Sequence, residues 1–223
     1  MLSTRLRKIA AVVGGELPPK IKACIRNLHD RVFRKDLTNR EFITEMNDAF
    51  ERTGISFYLR PYSKFSMVVT ADLYSANPID ISLYMNDSID LSHYVGNVIA
   101  EVTYVLIHEF THLHQESRMN VPLKPLPYDI PGHQYEPSEK EVALHEVGVP
   151  EELMAIASST VAELADTFSK KQLIKFLKDG SFKNRVRTLG GLQHYLPLLK
   201  DSEARYHRFL KYCYMYVQKL PDD

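Results

Sequence analysis

The sequence predicts an α+β fold: a small, mainly antiparallel sheet precedes one central helix, and a helical part closes the chain. Three observations carry this. Residues 55–62, 66–74 and 79–85 are short runs rich in Ile, Val, Phe, Tyr and Leu, bounded by turn formers such as Asn77-Pro78 and Asn86-Asp87, as strands are. Residues 92–113 place apolar side chains at 95, 98, 99, 102, 105, 106, 110 and 113, the three-and-four spacing of a helix with a wide apolar face. Helical periodicity returns beyond residue 149.

In chain order, residues 18–34 and 38–53 read as two helices. The second opens on Thr38-Asn39-Arg40-Glu41, a capping-box pattern, and is closed by Gly54. The three strands follow, and Ser92 is placed to cap the central helix. Prolines 122, 125, 127, 131 and 137 exclude helix and central strand from residues 118–137, so a long loop is expected there, lying over a cleft. Pro150 reads as the first residue of a further helix, with acids in its first turn. Ser169 to Asp179 forms another, stopped by Gly180; Lys183 to Arg187 reads as a solvated basic face and Gly190-Gly191 as a turn. The last helix, from about Ser202 to Leu220, turns Tyr206, Phe209, Leu210, Cys213, Tyr214 and Val217 toward a core. The chain thus divides into a helical segment at 1–54, the sheet and central helix at 55–117, the proline-rich loop at 118–148 and the helical part at 149–223.

Within the central helix stands His108-Glu109-Phe110-Thr111-His112. Residues i and i+4 share a helix face, so both imidazoles can reach one tetrahedral ion while the carboxylate beside them reaches a water on it: the spacing predicts a zinc site with its own general base, Glu109. With nine His and fifteen Glu in 223 residues, chance would supply roughly 0.02 such matches. A core helix whose histidines merely satisfy hydrogen bonds leaves Glu109 without a role. His114 lies about 200° round the helix from His112 and belongs elsewhere.

Two histidines do not hold zinc; a third protein ligand is required, with a fourth position open. Glu151, Glu152, His133, His145 and Glu163 are the downstream candidates. A carboxylate on a second helix, with a small residue three positions on that lets the two helices approach, is the arrangement used by Glu-type zincins. Glu152 has Ala155 at that spacing, whereas Glu151 has Met154, so Glu152 is the expected ligand. The competing explanation is that both acids are there for the helix dipole.

Taken together, the His108-to-His112 motif, the stretch Pro150-Glu151-Glu152-Leu153-Met154-Ala155-Ile156-Ala157 and the closing helix Arg205-Tyr206-His207-Arg208-Phe209-Leu210-Lys211-Tyr212 resemble the zincin-like metallopeptidases encoded in bacteriophage genomes, over about residues 79–220. The second helix, from Glu152 to Leu164, is also similar to a stretch of the phage-repressor-cleaving peptidases. In the family an aromatic often closely precedes the proline; here the nearest is Tyr135, fifteen positions before Pro150. The resemblance implies a zincin-like fold, one zinc ion held by His108, His112 and Glu152, and hydrolysis of a peptide bond in a peptide or protein substrate. It implies action in the cytoplasm of an infected cell or within a virion, with other virion proteins as partners in the second case. A zinc-bearing virion scaffold without required activity, and a zinc amidohydrolase, are the alternatives. An intact Glu109 favours an enzyme, since zinc binding alone does not need it. An oxyanion donor is drawn from His133, His145, His194, Tyr195, Arg205, Tyr206 and His207.

Composition excludes other classes. The formal net charge is zero with a pI near 7.1, which argues against a nucleic-acid or anionic-membrane surface. No run has the apolar length of a membrane span. Cys24 and Cys213, far apart and both in expected helices, read as buried thiols of a reducing compartment. The basic, acid-free start from Met1 to Gly15 slightly resembles a targeting segment, but its apolar run is short and a plain helix is expected.

Overall fold

The structure, a computed structural model, describes residues 17–33, 35–62, 68–72, 79–86, 88–119, 147–182 and 195–222. These form an α+β protein with a three-stranded mixed sheet and a majority of helices. The chain separates into two compact units, Leu17–Glu109 and Phe110–Asp223, the division falling inside one continuous helix. Among the described residues no helix is long and apolar enough to cross a membrane.

In the first unit, α1 (Pro19–Val32) begins with proline at its first position and buries Ile21, Ile25, Leu28 and Val32, a single stripe at spacings of four and three. Helix α2 (Asn39–Phe50) opens on the expected capping box: the Thr38 N–H donates to Glu41 Oε2 (2.9 Å) and the Glu41 N–H donates to Thr38 Oγ1 (3.3 Å). It buries Phe42, Met46, Ala49 and Phe50 and ends four residues before Gly54, whose φ of 77° lets the chain turn back into the sheet.

The strands are β1 (Ile55–Pro61), β2 (Val68–Asp72) and β3 (Ile79–Met85), ordered β1-β3-β2. β2 pairs antiparallel with β3, but β1 pairs with β3 in parallel, Phe57 opposite Ile81. The sheet is therefore mixed rather than mainly antiparallel. The reason lies in the order: β3 inserts between the two preceding strands, so β1 and β2, consecutive in sequence, never pair. β3 is central and buries Ile79, Ile81, Leu83 and Met85 in strict alternation, while β1 is buried only at Ile55 and Phe57. The outer edge of β1 is closed at Phe57 by Asn47 of α2. Its Oδ1 accepts from the Phe57 N–H (2.9 Å) and its amide donates to the Phe57 carbonyl (3.0 Å).

A short 3₁₀ turn, Leu91–Tyr94, leads into α3 (Val95–Met119). Asp90, not Ser92, supplies the cap, its Oδ1 accepting from the Ser92 N–H (2.9 Å) and hydroxyl (2.8 Å). The extra turn moves the start of the helix past Ser92. Val98, Ile99, Val102, Leu106 and Ile107 are buried, whereas Val105 and Phe110 are half-buried and Leu113 is exposed, so the apolar stripe is narrower at its end than the spacing predicts.

The second unit contains α4 (Pro150–Ala165), α5 (Lys170–Asp179), α6 (Leu196–Lys200) and α7 (Glu203–Lys219). Pro150 is the first residue of α4, and Ser169 with Gln172 forms a capping box on α5, which Gly180 (φ 75°) ends. α7 packs on α4, α5 and α6, burying Phe209, Cys213, Tyr216 and Val217. Tyr216 is thus a core tyrosine and Tyr214 is exposed; two residues are about 200° of helix, so the two side chains face opposite sides. Both cysteines are free thiols, Cys213 buried but Cys24 only half-buried, because it lies beside rather than on the stripe of α1. The proline-rich segment, the basic stretch at 183–187, Gly190-Gly191 and the first sixteen residues lie outside the described residues.

Candidate metal centre

The helical geometry of α3 fixes the first two candidate ligands. His108 and His112 stand one turn apart on a continuous helix, which brings their rings to one side of it. His112 is buried, 3% exposed, and His108 is half-buried. The third residue comes from the first turn of α4. There the Glu152 carboxylate places Oε2 3.1 Å from His112 Nε2. One ligating atom from each of His108, His112 and Glu152 lies within 4.8 Å of the other two, and among the described residues this is the one group of three or more His, Cys, Asp or Glu side chains so arranged.

Two ligands about 2.0–2.2 Å from a tetrahedral zinc ion stand roughly 3.4 Å apart, so the His112–Glu152 separation is already close to that of a shared ion and the widest separation would need side-chain movements of about 1 Å. The donor set of two imidazoles and one carboxylate is that of catalytic zinc, which keeps three protein ligands, rather than of structural zinc, which takes four. The residues present fit the ion.

Around these ligands the structure builds a supporting set that sequence reasoning missed. Gln115, 7% exposed, has its Oε1 3.1 Å from His112 Nδ1 and donates through Nε2 to the Glu151 carbonyl (3.2 Å). Thr111, inside the motif, donates to Ser158 of α4 (3.3 Å), and Ser158 shares a hydrogen bond with Tyr216 of α7. Small hydroxyl residues at 111 and 158 let α3 and α4 meet at that point. Burial pushes the Tyr216 hydroxyl up to about 12 against the opposing effect of Ser158, with Cys213 and Tyr212 adding to the rise. Gln115 had one readable signal: a polar residue three positions after His112, hence on its face of the helix. Ser158 and Tyr216 had none.

Glu109, one residue beyond His108, is 9% exposed. Seven residues before His108 on the same stripe, Glu101 is held above the usual carboxyl range by burial. Glu151 stays outside the ligand group and contributes its backbone carbonyl, and Glu163 lies near the far end of α4. Ala155, three positions after Glu152, is fully buried. His133, His145, Tyr135, His194 and the side chain of His114 fall outside the described residues. Of the other oxyanion candidates, Tyr206 stacks on Phe209 at 6.5 Å, His207 is exposed, Arg205 lies in the first turn of α7 and Tyr195 precedes α6. His207 is not part of the ligand group.

No protein-family model, curated protein or solved structure matches this chain.

Proposed function

We propose that the chain is a zinc-dependent metallopeptidase, with His108, His112 and Glu152 as ligands and Glu109 as general base. The observation that supports this most is the meeting of Glu152 with His112 at 3.1 Å, because it adds a carboxylate from a second helix to the two-histidine motif. Zinc in such a site supplies Lewis acidity, lowering the pKa of water to about 7 and polarising a carbonyl. The chain's own part is positional and protic. Three protein ligands would leave the fourth position of a tetrahedral ion for water and substrate, and Glu109 would take a proton from the attacking water and return it to the departing amine. The low exposure of Glu109 suits this, since a base shielded from bulk water transfers its proton within the site. The substrate is a peptide or protein, and the setting is a bacteriophage-infected cell or a virion, as the resemblance implies.

The test is Glu109→Gln. Zinc-loaded wild type should cleave members of a proteome-derived peptide library, read by mass spectrometry. The variant should keep its zinc and lose about two orders of magnitude in rate or more. Zinc-loaded wild type that cleaves nothing in the library would support a scaffold instead, and loss of zinc on substitution would make Glu109 a ligand.

A further inference from the structure

The Gln115 amide has only one consistent orientation. The backbone carbonyl of Glu151 can only accept, so the Nε2 group must face it, as it does at 3.2 Å. Oε1 is thereby turned to His112 Nδ1 at 3.1 Å. An amide oxygen also only accepts, so Nδ1 must be the nitrogen that carries hydrogen. The lone pair of the neutral ring is then on Nε2, the atom facing Glu152 Oε2. A polarity that begins at the Glu151 carbonyl is passed through one buried amide and ends as a metal-ready nitrogen.

We propose that Gln115 is a positioning residue for the metal centre: it sets the tautomer of His112 and at the same time ties down the first turn of α4, where Glu152 stands. This rests on the zinc reading above. The two roles come from the two ends of one side chain. Oε1 serves the ligand on α3, and Nε2 holds the residue immediately before the ligand on α4. Partners of this kind fix ring orientation and raise ligand basicity, and removing one typically weakens metal binding by about 10- to 100-fold. A glutamine that only satisfied its own buried amide would affect folding stability but neither the tautomer nor zinc affinity.

The experiment uses the full chain loaded with zinc and labelled with ¹⁵N. Imidazole correlation spectra of the wild type should show His112 with hydrogen on Nδ1 and metal on Nε2; the opposite tautomer overturns the proposal without any variant. Zinc dissociation constants, measured by chelator competition, should rise by about 10- to 100-fold in Gln115→Met, which keeps the length of the side chain but makes neither hydrogen bond. Gln115→Glu keeps an acceptor for Nδ1–H while setting an acceptor against the Glu151 carbonyl. It should therefore retain the tautomer and bind zinc more tightly than Gln115→Met; the reverse order overturns the proposal. Wild-type binding of zinc together with equally tight binding by Gln115→Met overturns the positioning role alone. A wild type that binds no zinc overturns both the role and the reading on which it rests.

Discussion

His112 and Glu152, forty residues apart in sequence, meet at 3.1 Å from adjacent turns of two different helices. A neutral imidazole whose Nδ1 carries hydrogen presents a lone pair at Nε2, and an ionised carboxylate presents only lone pairs, so the pair is stable at that distance when a cation, either a proton or a metal ion, is shared between them. With His108 one turn away, a metal ion would satisfy all three groups at once.

Metal content should depend on both histidines. Purified wild type should carry about one zinc per chain, and His108→Ala or His112→Ala should lose most of it, because a compact site that loses a ligand is severely weakened. Elemental analysis decides; one-to-one zinc retained in His108→Ala would remove that residue from the site.

The two adjacent acids of α4 should behave differently. Glu152→Gln should weaken zinc binding and activity together. Glu151→Gln should leave both near wild type, since its structural contribution is a backbone carbonyl and its charge at a helix start is worth only about 0.3–1 kcal/mol. Zinc titration of both variants tests the register, and equal weakening would contradict it.

Alkaline stability should report on Tyr216. Its hydroxyl titrates near 12 when folded and near 10 when unfolded, so between those values the unfolded chain holds fewer protons and stability falls as pH rises. The contribution is fully present below pH 10 and amounts to about 2–3 kcal/mol once lost. Urea midpoints compared at pH 9.5 and 11.5 should fall less in Tyr216→Phe than in wild type. Cys213, also raised by burial, adds a loss in the same direction in both proteins.

The edge of β1 should depend on one amide. Asn47→Ala strips Phe57 of both partners at the free side of the strand, and an unsatisfied, part-buried backbone group costs about 1–3 kcal/mol. Urea unfolding of the variant should show this loss with zinc content unchanged; unaltered stability would mean that water replaces the amide without cost.

Local physics made part of this protein legible from its sequence alone. Capping boxes at Thr38 and Ser169, proline at the first position of α4 and left-handed glycines at 54 and 180 all act within a few residues, so they can be read where they stand. The facing of His108 and His112 is of the same kind, because helical spacing alone carries it. What lies between distant segments was decided by tertiary structure. The parallel pairing of β1 with β3 depends on which strand is inserted between the others, and turn signals are silent about that. Asp90 displaced Ser92 as a cap because a 3₁₀ turn intervened, and Tyr216 displaced Tyr214 in the core because α7 meets its neighbours at one particular rotation. In the same way, the proline and first-turn acids at 150–152 pointed to Glu151 and Glu152 as candidates for a third ligand, and the small residue three positions on favoured Glu152. Only packing set α4 so that the carboxylate of Glu152 reaches His112 while the carbonyl of Glu151 holds Gln115, since helix rotation and approach are properties of the whole interface and not of either segment.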